Sequence, residues 1–178
     1  MEFFSEIMHK LDITLGIQNA SNFLSVGLSE KNIIKLAKEY SNFKIAKLEC
    51  SAVQLERMVK GLKHNIMVFN GRCGLELTDK LRAGSNGIIP GIETIDKTTE
   101  IFRLFNSQKH KKADKLYSDI LLVLCLIMQN IPYFLTYGKM LTAYRLGLDF
   151  GGFRKSALNP TQFGIQYIRR FTDQLGSF

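Results

Sequence analysis

The chain has 178 residues, of which 46% are hydrophobic and 22% charged, a balance that is typical of a folded globular protein and excludes a disordered one. Its formal net charge is +8, but a nucleic-acid binder concentrates such charge on one face beside a binding motif. Here the lysines are spread along the chain, and no such motif accompanies the densest basic cluster, residues 109–112. We therefore predict a solvated basic surface and no nucleic-acid partner, and keep a nucleic-acid or anion-binding module only as a third hypothesis.

Cysteine, histidine and hydropathy patterns narrow the class of protein further. The three cysteines are far apart and form no disulfide framework, which favours a reducing compartment. His9, His64 and His110 lack metal-ligand spacing, so we predict no metal site and no cofactor. The longest apolar run, residues 120–128, is shorter than the ~20 residues of a membrane span. Together with an N-terminus unlike a secretory signal, these features predict a cytoplasmic protein without a membrane partner.

The first 106 residues alternate between strand-like and helix-like segments. Predicted strands cover residues 13–19, 44–50, 66–71 and 86–91, and predicted helices cover residues 29–40, 51–62, 75–84 and 94–105. Ser29 is the predicted N-cap of the first of these helices, and Ser51 with Gln54 has the spacing of a capping box. Gly61 and Gly84 mark predicted helix ends. Four consecutive βα units predict an α/β fold with a parallel sheet flanked by helices.

The remaining residues are predicted to be helical. The apolar periodicity indicates helices over residues 111–130, 134–148 and 159–175. Asn159 is the predicted N-cap of the last helix because Pro160 follows it, and proline favours the first helical position. We thus expect residues 1–106 to form the four βα units and residues 107–178 to form a C-terminal helical extension packed in the same domain.

One lysine lies within the predicted strand KIAKLEC, where a charged side chain is costly to bury. Strand alternation places Lys47 and Glu49 on one face and Ala46, Leu48 and Cys50 on the other. If both faces are covered, Lys47 is buried or lines a cavity, and a desolvated amine can attack a ketone to form a Schiff base. Alternatively, Lys47 lies near the end of the strand and pairs with Glu49 or another carboxylate. Spacing alone favours the ion pair.

Several motifs together resemble the dihydrodipicolinate synthase / N-acetylneuraminate lyase family of class I aldolases and dehydratases. KIAKLEC is similar to the family's Schiff-base strand, and VFNGRCGLELTDKLRAGSNGIIPGIE is similar to its last two barrel strands. The three trailing helices match the family's C-terminal extension. This resemblance runs over essentially the whole chain, in the order and spacing of the family.

The resemblance implies the C-terminal half of a TIM (β/α)8 barrel, strands five to eight, beginning in the helix before strand five. It implies that Lys47 is the catalytic Schiff-base lysine and that the backbones of Gly71 and Ile89 line the substrate pocket. Gln18 is implied to be a substrate-binding residue, at the position where many members have a proton-relay tyrosine.

The chain also departs from the family's pattern. Glutamine at position 18 cannot titrate as a tyrosine does, and Phe23 lies where the synthase subgroup has a substrate-binding arginine. The family's threonine pair and G-x-T-G-E loop, which come from earlier strands, are absent from the sequence. These departures argue against authentic dihydrodipicolinate synthase activity and favour sugar-acid dehydratase or aldolase relatives, or lost function.

Two functional hypotheses follow. The first is a Schiff-base lyase of the aldolase or dehydratase type, acting on pyruvate or a related 2-keto acid and present as a truncated chain. The second is a non-catalytic remnant, or a half-barrel that needs a partner chain to close the barrel. We expect that partner to be a second copy of this chain or a complementing N-terminal half-barrel chain.

Overall fold

The computed structural model describes residues 1–62, 66–152, 154–155 and 157–178. These residues form two compact units, Met1–Ile89 and Pro90–Phe178. The first unit alternates helices and strands in the following order: α1 Glu2–Lys10, β1 Leu15–Asn19, α2 Ser21–Leu24, α3 Glu30–Glu39, β2 Phe43–Leu48, α4 Ala52–Leu62, β3 Met67–Asn70, a 3₁₀ turn Arg72–Gly74, α5 Leu77–Arg82 and β4 Gly87–Ile88.

Capping residues define the helix starts that the sequence predicts. The Ser29 hydroxyl accepts the Asn32 backbone N–H at 3.2 Å, immediately before α3. Ser51 and Gln54 form the predicted capping box before α4: the Ser51 hydroxyl accepts the Gln54 N–H at 3.3 Å, and the Gln54 side-chain oxygen accepts the Ser51 N–H at 3.2 Å. Gly84, with φ of +95°, follows α5 in a conformation that favours glycine. These local predictions are confirmed.

The four strands form one parallel sheet in the order β1-β2-β3-β4. One face packs against the helices and forms the core of the first unit. That core contains Ile17, Ala46, Leu48 and Val68 from the strands and Ile33, Leu36, Leu55 and Met58 from α3 and α4. The opposite face, called the open face below, carries Gln18, Ile45, Lys47, Met67 and Phe69. The α/β prediction is confirmed for this unit.

The second unit is helical in the part that the structure describes. It contains a 3₁₀ turn Ile92–Thr94, α6 Ile95–Asn106, α7 His110–Ile127, α8 Ile131–Tyr133, a π turn Phe134–Gly138, α9 Lys139–Arg145 and α10 Gln162–Leu175. Helix α6 packs on α7, and α9 packs on α10 and on the 3₁₀ turn. Buried apolar side chains fill these contacts: Ile101, Ala113, Ile120, Val123, Leu124, Met140, Leu141, Ile168 and Phe171.

The start of α10 differs from the prediction. The N-cap is Thr161, whose hydroxyl accepts the Gly164 N–H at 3.0 Å, so the predicted Asn159 cap is wrong. Pro160 therefore lies just before the cap and not in the first helical turn. Asn159 and Thr161, on either side of this proline, are both residue types that can cap a helix. The cap is the one whose side chain reaches a free backbone N–H of the first turn.

Within the described residues, no single helix is both long and apolar enough to cross a membrane. Helix α7 and the helical segment from Ile131 to Arg145 satisfy that criterion only as a pair, and the pair is bent by 108° at its junction.

Candidate active site

Lys47 lies on the open face of the sheet, in the second-to-last position of β2. Its register partners are Gln18 on β1 and Phe69 on β3, so these three side chains form one row across the sheet. The flanking residues Ala46 and Leu48 are buried in the core on the other face and fix the orientation of the strand. The Lys47 side chain remains 21% exposed, so part of it reaches solvent.

A buried carboxylate binds the Lys47 ammonium group. Glu49 Oε1 lies 3.0 Å from Lys47 Nζ, and the Glu49 side chain is 8% exposed. Gln18 Nε2 donates to the same oxygen at 3.3 Å, and the backbone N–H of Arg72 donates to Glu49 Oε2. The pairing of Lys47 with Glu49, one of the two alternatives left open by the sequence, is thus present in the structure. The same carboxylate connects Lys47, Gln18 and the turn after β3.

Gly71 leaves the space that the Glu49 carboxylate occupies. A β-carbon at position 71 would overlap all three atoms of that carboxylate, so a larger residue would displace Glu49. The Gly71 N–H donates to the Leu48 carbonyl at 3.2 Å and extends the sheet ladder beyond β3. The glycine therefore sits at the carboxyl end of the strands, beside Lys47 and Glu49.

The turn after Gly71 has an unusual backbone. Arg72 and Cys73 are consecutive non-glycine residues in the left-handed region, with φ of +57° and +51°. Such conformations are strained for these residue types and persist where the surroundings hold them. In this turn they accompany the hydrogen bond from the Arg72 N–H to the Glu49 carboxylate.

Ile89, the fourth predicted site residue, lies just beyond β4. Its N–H donates to the Asn70 carbonyl at 2.9 Å, which places it next to Gly71 at the carboxyl ends of the strands. The side chain is 43% exposed. Among the described residues, the polar contacts that connect Gln18, Lys47, Glu49 and the turn after β3 do not include Ile89.

A second charged cluster, which we did not predict from the sequence, lies beside Glu49. Glu76 accepts the Ala52 N–H at the start of α4 at 3.2 Å and the Arg72 guanidinium at 3.0 Å. Lys80 Nζ lies 3.9 Å from Glu76, is fully buried and has no hydrogen-bond partner among the residues that the structure describes. Burial, reinforced by the positive charge of Arg72, lowers the pKa of Lys80 to about 8. Burial also raises the pKa of the Cys50 thiol, although the charges of Lys80 and Arg72 oppose this shift.

A small polar cavity of about 190 Å³ lies near these groups, at the start of α3 and α4. Its lining includes Asn19, Asn22, Ser29, Glu30, Glu49, Cys50 and Gln54. Lys47, Gln18, Gly71 and Ile89 are not among the described residues that line it.

The described residues contain no group of three or more histidine, cysteine, aspartate or glutamate side chains placed to hold a metal ion. Of the three histidines considered above, His64 lies outside the described residues.

No family model matches the sequence, and no curated protein matches it. Solved structures do. The chain is similar to dihydrodipicolinate synthase from Rhodopseudomonas palustris, with a TM-score of 0.84 at 16% identity over 97% of this chain and 60% of that one. The Aquifex aeolicus enzyme gives a TM-score of 0.80 at 20% identity, over 97% and 59% of the two chains.

A third similar structure is the chloride-inhibited dihydrodipicolinate synthase from Acinetobacter baumannii complexed with pyruvate. Its TM-score is 0.83 at 15% identity, over 99% of this chain and 60% of that one. The fold matches that of the aligned part of these dihydrodipicolinate synthase structures. The similarity that the sequence motifs predicted is therefore confirmed at the level of the fold. The chain spans about 60% of the length of the dihydrodipicolinate synthase structures it matches.

Proposed function

We propose that the chain is a Schiff-base-forming lyase of the aldolase or dehydratase type that acts on pyruvate or a related 2-keto acid. Lys47 attacks the carbonyl carbon of the substrate and forms the imine. The protonated imine then withdraws electrons from the neighbouring carbon, which eases C–C cleavage, condensation or loss of water. In this proposal the four strands correspond to strands five to eight of a (β/α)8 barrel. Residues 107–178 correspond to the C-terminal helical extension.

The observation that carries this proposal is the position of Lys47. It is a partly exposed lysine on the open face, at the carboxyl end of a parallel strand, with a buried carboxylate 3.0 Å from its amine. Ligands of parallel α/β sheets and barrels bind at the carboxyl ends of the strands. The likeness to dihydrodipicolinate synthase structures, one of them with bound pyruvate, supports the same location.

Gln18, Gly71 and Ile89 are the proposed substrate-binding residues. All three lie at the carboxyl end of their strands or directly after it. The Gln18 amide is a hydrogen-bonding group beside the reactive amine, while Gly71 and Ile89 offer backbone groups at the ends of β3 and β4. In this assignment, Lys47 carries the chemistry and the other three orient the substrate.

The test is intact-mass spectrometry of the purified chain after incubation with pyruvate and borohydride, which reduces and traps an imine. We expect one adduct per chain in the native protein and none in Lys47→Ala. Lys44→Ala is the matched control, because Lys44 lies on the same strand but is exposed. No adduct in a folded native protein, or an undiminished adduct in Lys47→Ala, would overturn the proposal.

A second candidate is a non-catalytic half-barrel that associates with another chain. Met67 and Ile89, on and beside the sheet, are 47% and 43% exposed. In the described residues, β1 and β4 each pair with one strand only, which leaves two edges that can template association. We expect light scattering to detect a homo-oligomer, or a complex with an N-terminal half-barrel chain. A monomer that binds no apolar dye would contradict this candidate.

A further inference from the structure

We infer that Glu49 is a second catalytic residue, which takes a proton from the Lys47 ammonium and returns it to the departing hydroxyl group during imine formation. This inference rests on the proposed function of Lys47. It adds to that function the group that moves the proton.

The distance supports direct proton transfer. A general base must lie within about 2.6–3.2 Å of the atom whose proton it takes, and Glu49 Oε1 is 3.0 Å from Lys47 Nζ. No rearrangement is needed to bring the two atoms together. Only the amine needs to remain reachable by substrate, and Lys47 is the more exposed partner, at 21% against 8% for Glu49.

The carboxylate is held by groups that do not change during the reaction. Gln18 Nε2 and the Arg72 backbone N–H donate to Glu49, and neither group changes its own protonation when Lys47 passes from ammonium to amine to imine. The close contact with Gly71 restricts the carboxylate from a third side. Glu49 can therefore gain a proton and lose it again without changing its position, as preorganised acid–base catalysis requires.

The proton balance of the step closes with this one carboxylate. The Lys47 ammonium gives one proton to Glu49, and the neutral amine forms a C–N bond with the carbonyl carbon of the substrate. The second proton moves from nitrogen to the former carbonyl oxygen and gives a carbinolamine. Glu49 then protonates the hydroxyl group, the C–O bond breaks, and water leaves together with formation of the protonated imine. The Glu49 carboxylate is restored and neutralises the charge of that imine.

The groups around the pair define what a pH experiment reports. In the described part of the chain, six charged or titratable groups face Glu49 or its neighbours. They are Lys47 in β2, Cys50 after β2, Glu30 at the start of α3, Arg72 in the turn, and Glu76 and Lys80 at α5. The Arg72 guanidinium is bound by Glu76, and Lys80 is buried behind it. Glu49 is the one carboxylate within this set that contacts the Lys47 amine in the described structure.

The experiment measures the initial rate of imine trapping with pyruvate and borohydride between pH 5 and pH 9. Glu49→Gln keeps the size of the side chain but removes its basic oxygen, and we expect the rate to fall by about 100-fold or more. The rate should also rise more steeply with pH in this variant, because only solvent base can then deprotonate the Lys47 ammonium. A purely structural role would not change the pH profile. Glu39→Gln, an exposed change at the end of α3, is the matched control.

Glu49→Asp keeps the carboxylate but shortens its reach. We expect a rate between those of the native protein and Glu49→Gln, with a pH dependence closer to that of the native protein. This variant carries the test if Glu49→Gln does not fold, and a native rate in Glu49→Asp would then overturn the inference. A rate within twofold of native in folded Glu49→Gln, with the same pH profile, would overturn the role of Glu49 alone. Absence of an adduct in the native protein would overturn the proposed function and this inference with it.

Discussion

Arg145 and Asp96 form a doubly hydrogen-bonded ion pair in the second unit, with Nη1–Oδ1 at 2.9 Å and Nη2–Oδ2 at 2.8 Å. The Arg145 side chain is fully buried, and its remaining donors reach the carbonyls of Glu93 and Gly176 at 2.8 and 2.7 Å. The Phe178 ring lies 4.0 Å from the guanidinium carbon. One arginine thus connects α9, the start of α6 and the residues after α10.

Replacing Asp96 with asparagine should destabilise the protein strongly. The change would leave a buried guanidinium without its counter-charge, and breaking such a pair costs about 3 kcal/mol or more. Urea unfolding followed by far-UV circular dichroism would measure the change. Asp79→Asn is the control, because Asp79 forms an exposed pair with Arg82 that should contribute less than about 1 kcal/mol. A loss below about 1 kcal/mol in Asp96→Asn would contradict the role assigned to the pair.

The same pair should make the protein sensitive to acid in a defined range. Although burial opposes ionisation of Asp96, hydrogen bonds from Arg145 and from the Lys97 backbone hold its pKa at about 2, below the ordinary 3.8. A folded-state pKa below the unfolded value gives stability above about pH 4 that is lost as the pH falls toward 2. Urea unfolding at several pH values should show a steeper loss over this range in the native protein than in Asp96→Asn. Equal slopes would contradict the prediction.

Lys80 should make the stability rise with pH above neutrality. Its pKa is about 8 in the folded protein, against 10.5 for an exposed lysine. Between these pH values the unfolded chain binds more protons than the folded one, so the stability of the fold increases with pH across this range. Lys80→Met should flatten that rise and stabilise the protein at pH 7 by up to roughly 3 kcal/mol. Lys31→Met, an exposed change on α3, is the control. A destabilised Lys80→Met with an unchanged pH dependence would show that Lys80 is well accommodated as a cation.

The two residues that flank Pro160 should differ in their effect on α10. Thr161→Ala removes the side chain that accepts the Gly164 N–H, and the loss of such a cap costs about 1 kcal/mol. Asn159→Ala changes an exposed residue before the cap and should have an effect within about 0.5 kcal/mol. The midpoints of thermal unfolding compare the two variants directly. A larger fall in the unfolding midpoint for Asn159→Ala than for Thr161→Ala would show that Asn159, as the sequence predicted, is the cap.

Local signals explain which parts of the fold could be predicted. Ser29 and the Ser51–Gln54 pair start their helices as expected, because capping depends on residues within one turn of each other. Strand alternation likewise placed Lys47 and Glu49 on one face, since it depends only on the period of the strand. Such features require no knowledge of distant residues.

Tertiary contacts explain what the sequence did not reveal. Lys80 occupies a position on the apolar side of α5, between Leu77 and Leu81, and its burial depends on what packs against that side. The left-handed conformations of Arg72 and Cys73 also cannot be predicted from the sequence, because neither residue type favours positive φ. The contact of Glu49 with the Arg72 N–H, which completes the candidate site, forms in this left-handed turn. It joins residues that are far apart in the sequence, so no local pattern predicts it.

The Glu49 carboxylate fills the space that a side chain at position 71 would need, although the two positions are 22 residues apart in the chain. With the Glu49 carboxylate in its observed place, a β-carbon at position 71 has no room, whereas a short side chain at position 49 would remove that constraint. Among relatives of this chain, the two positions should therefore change together and not independently. Such covariation would distinguish a glycine kept for its neighbour's carboxylate from one kept for its own backbone.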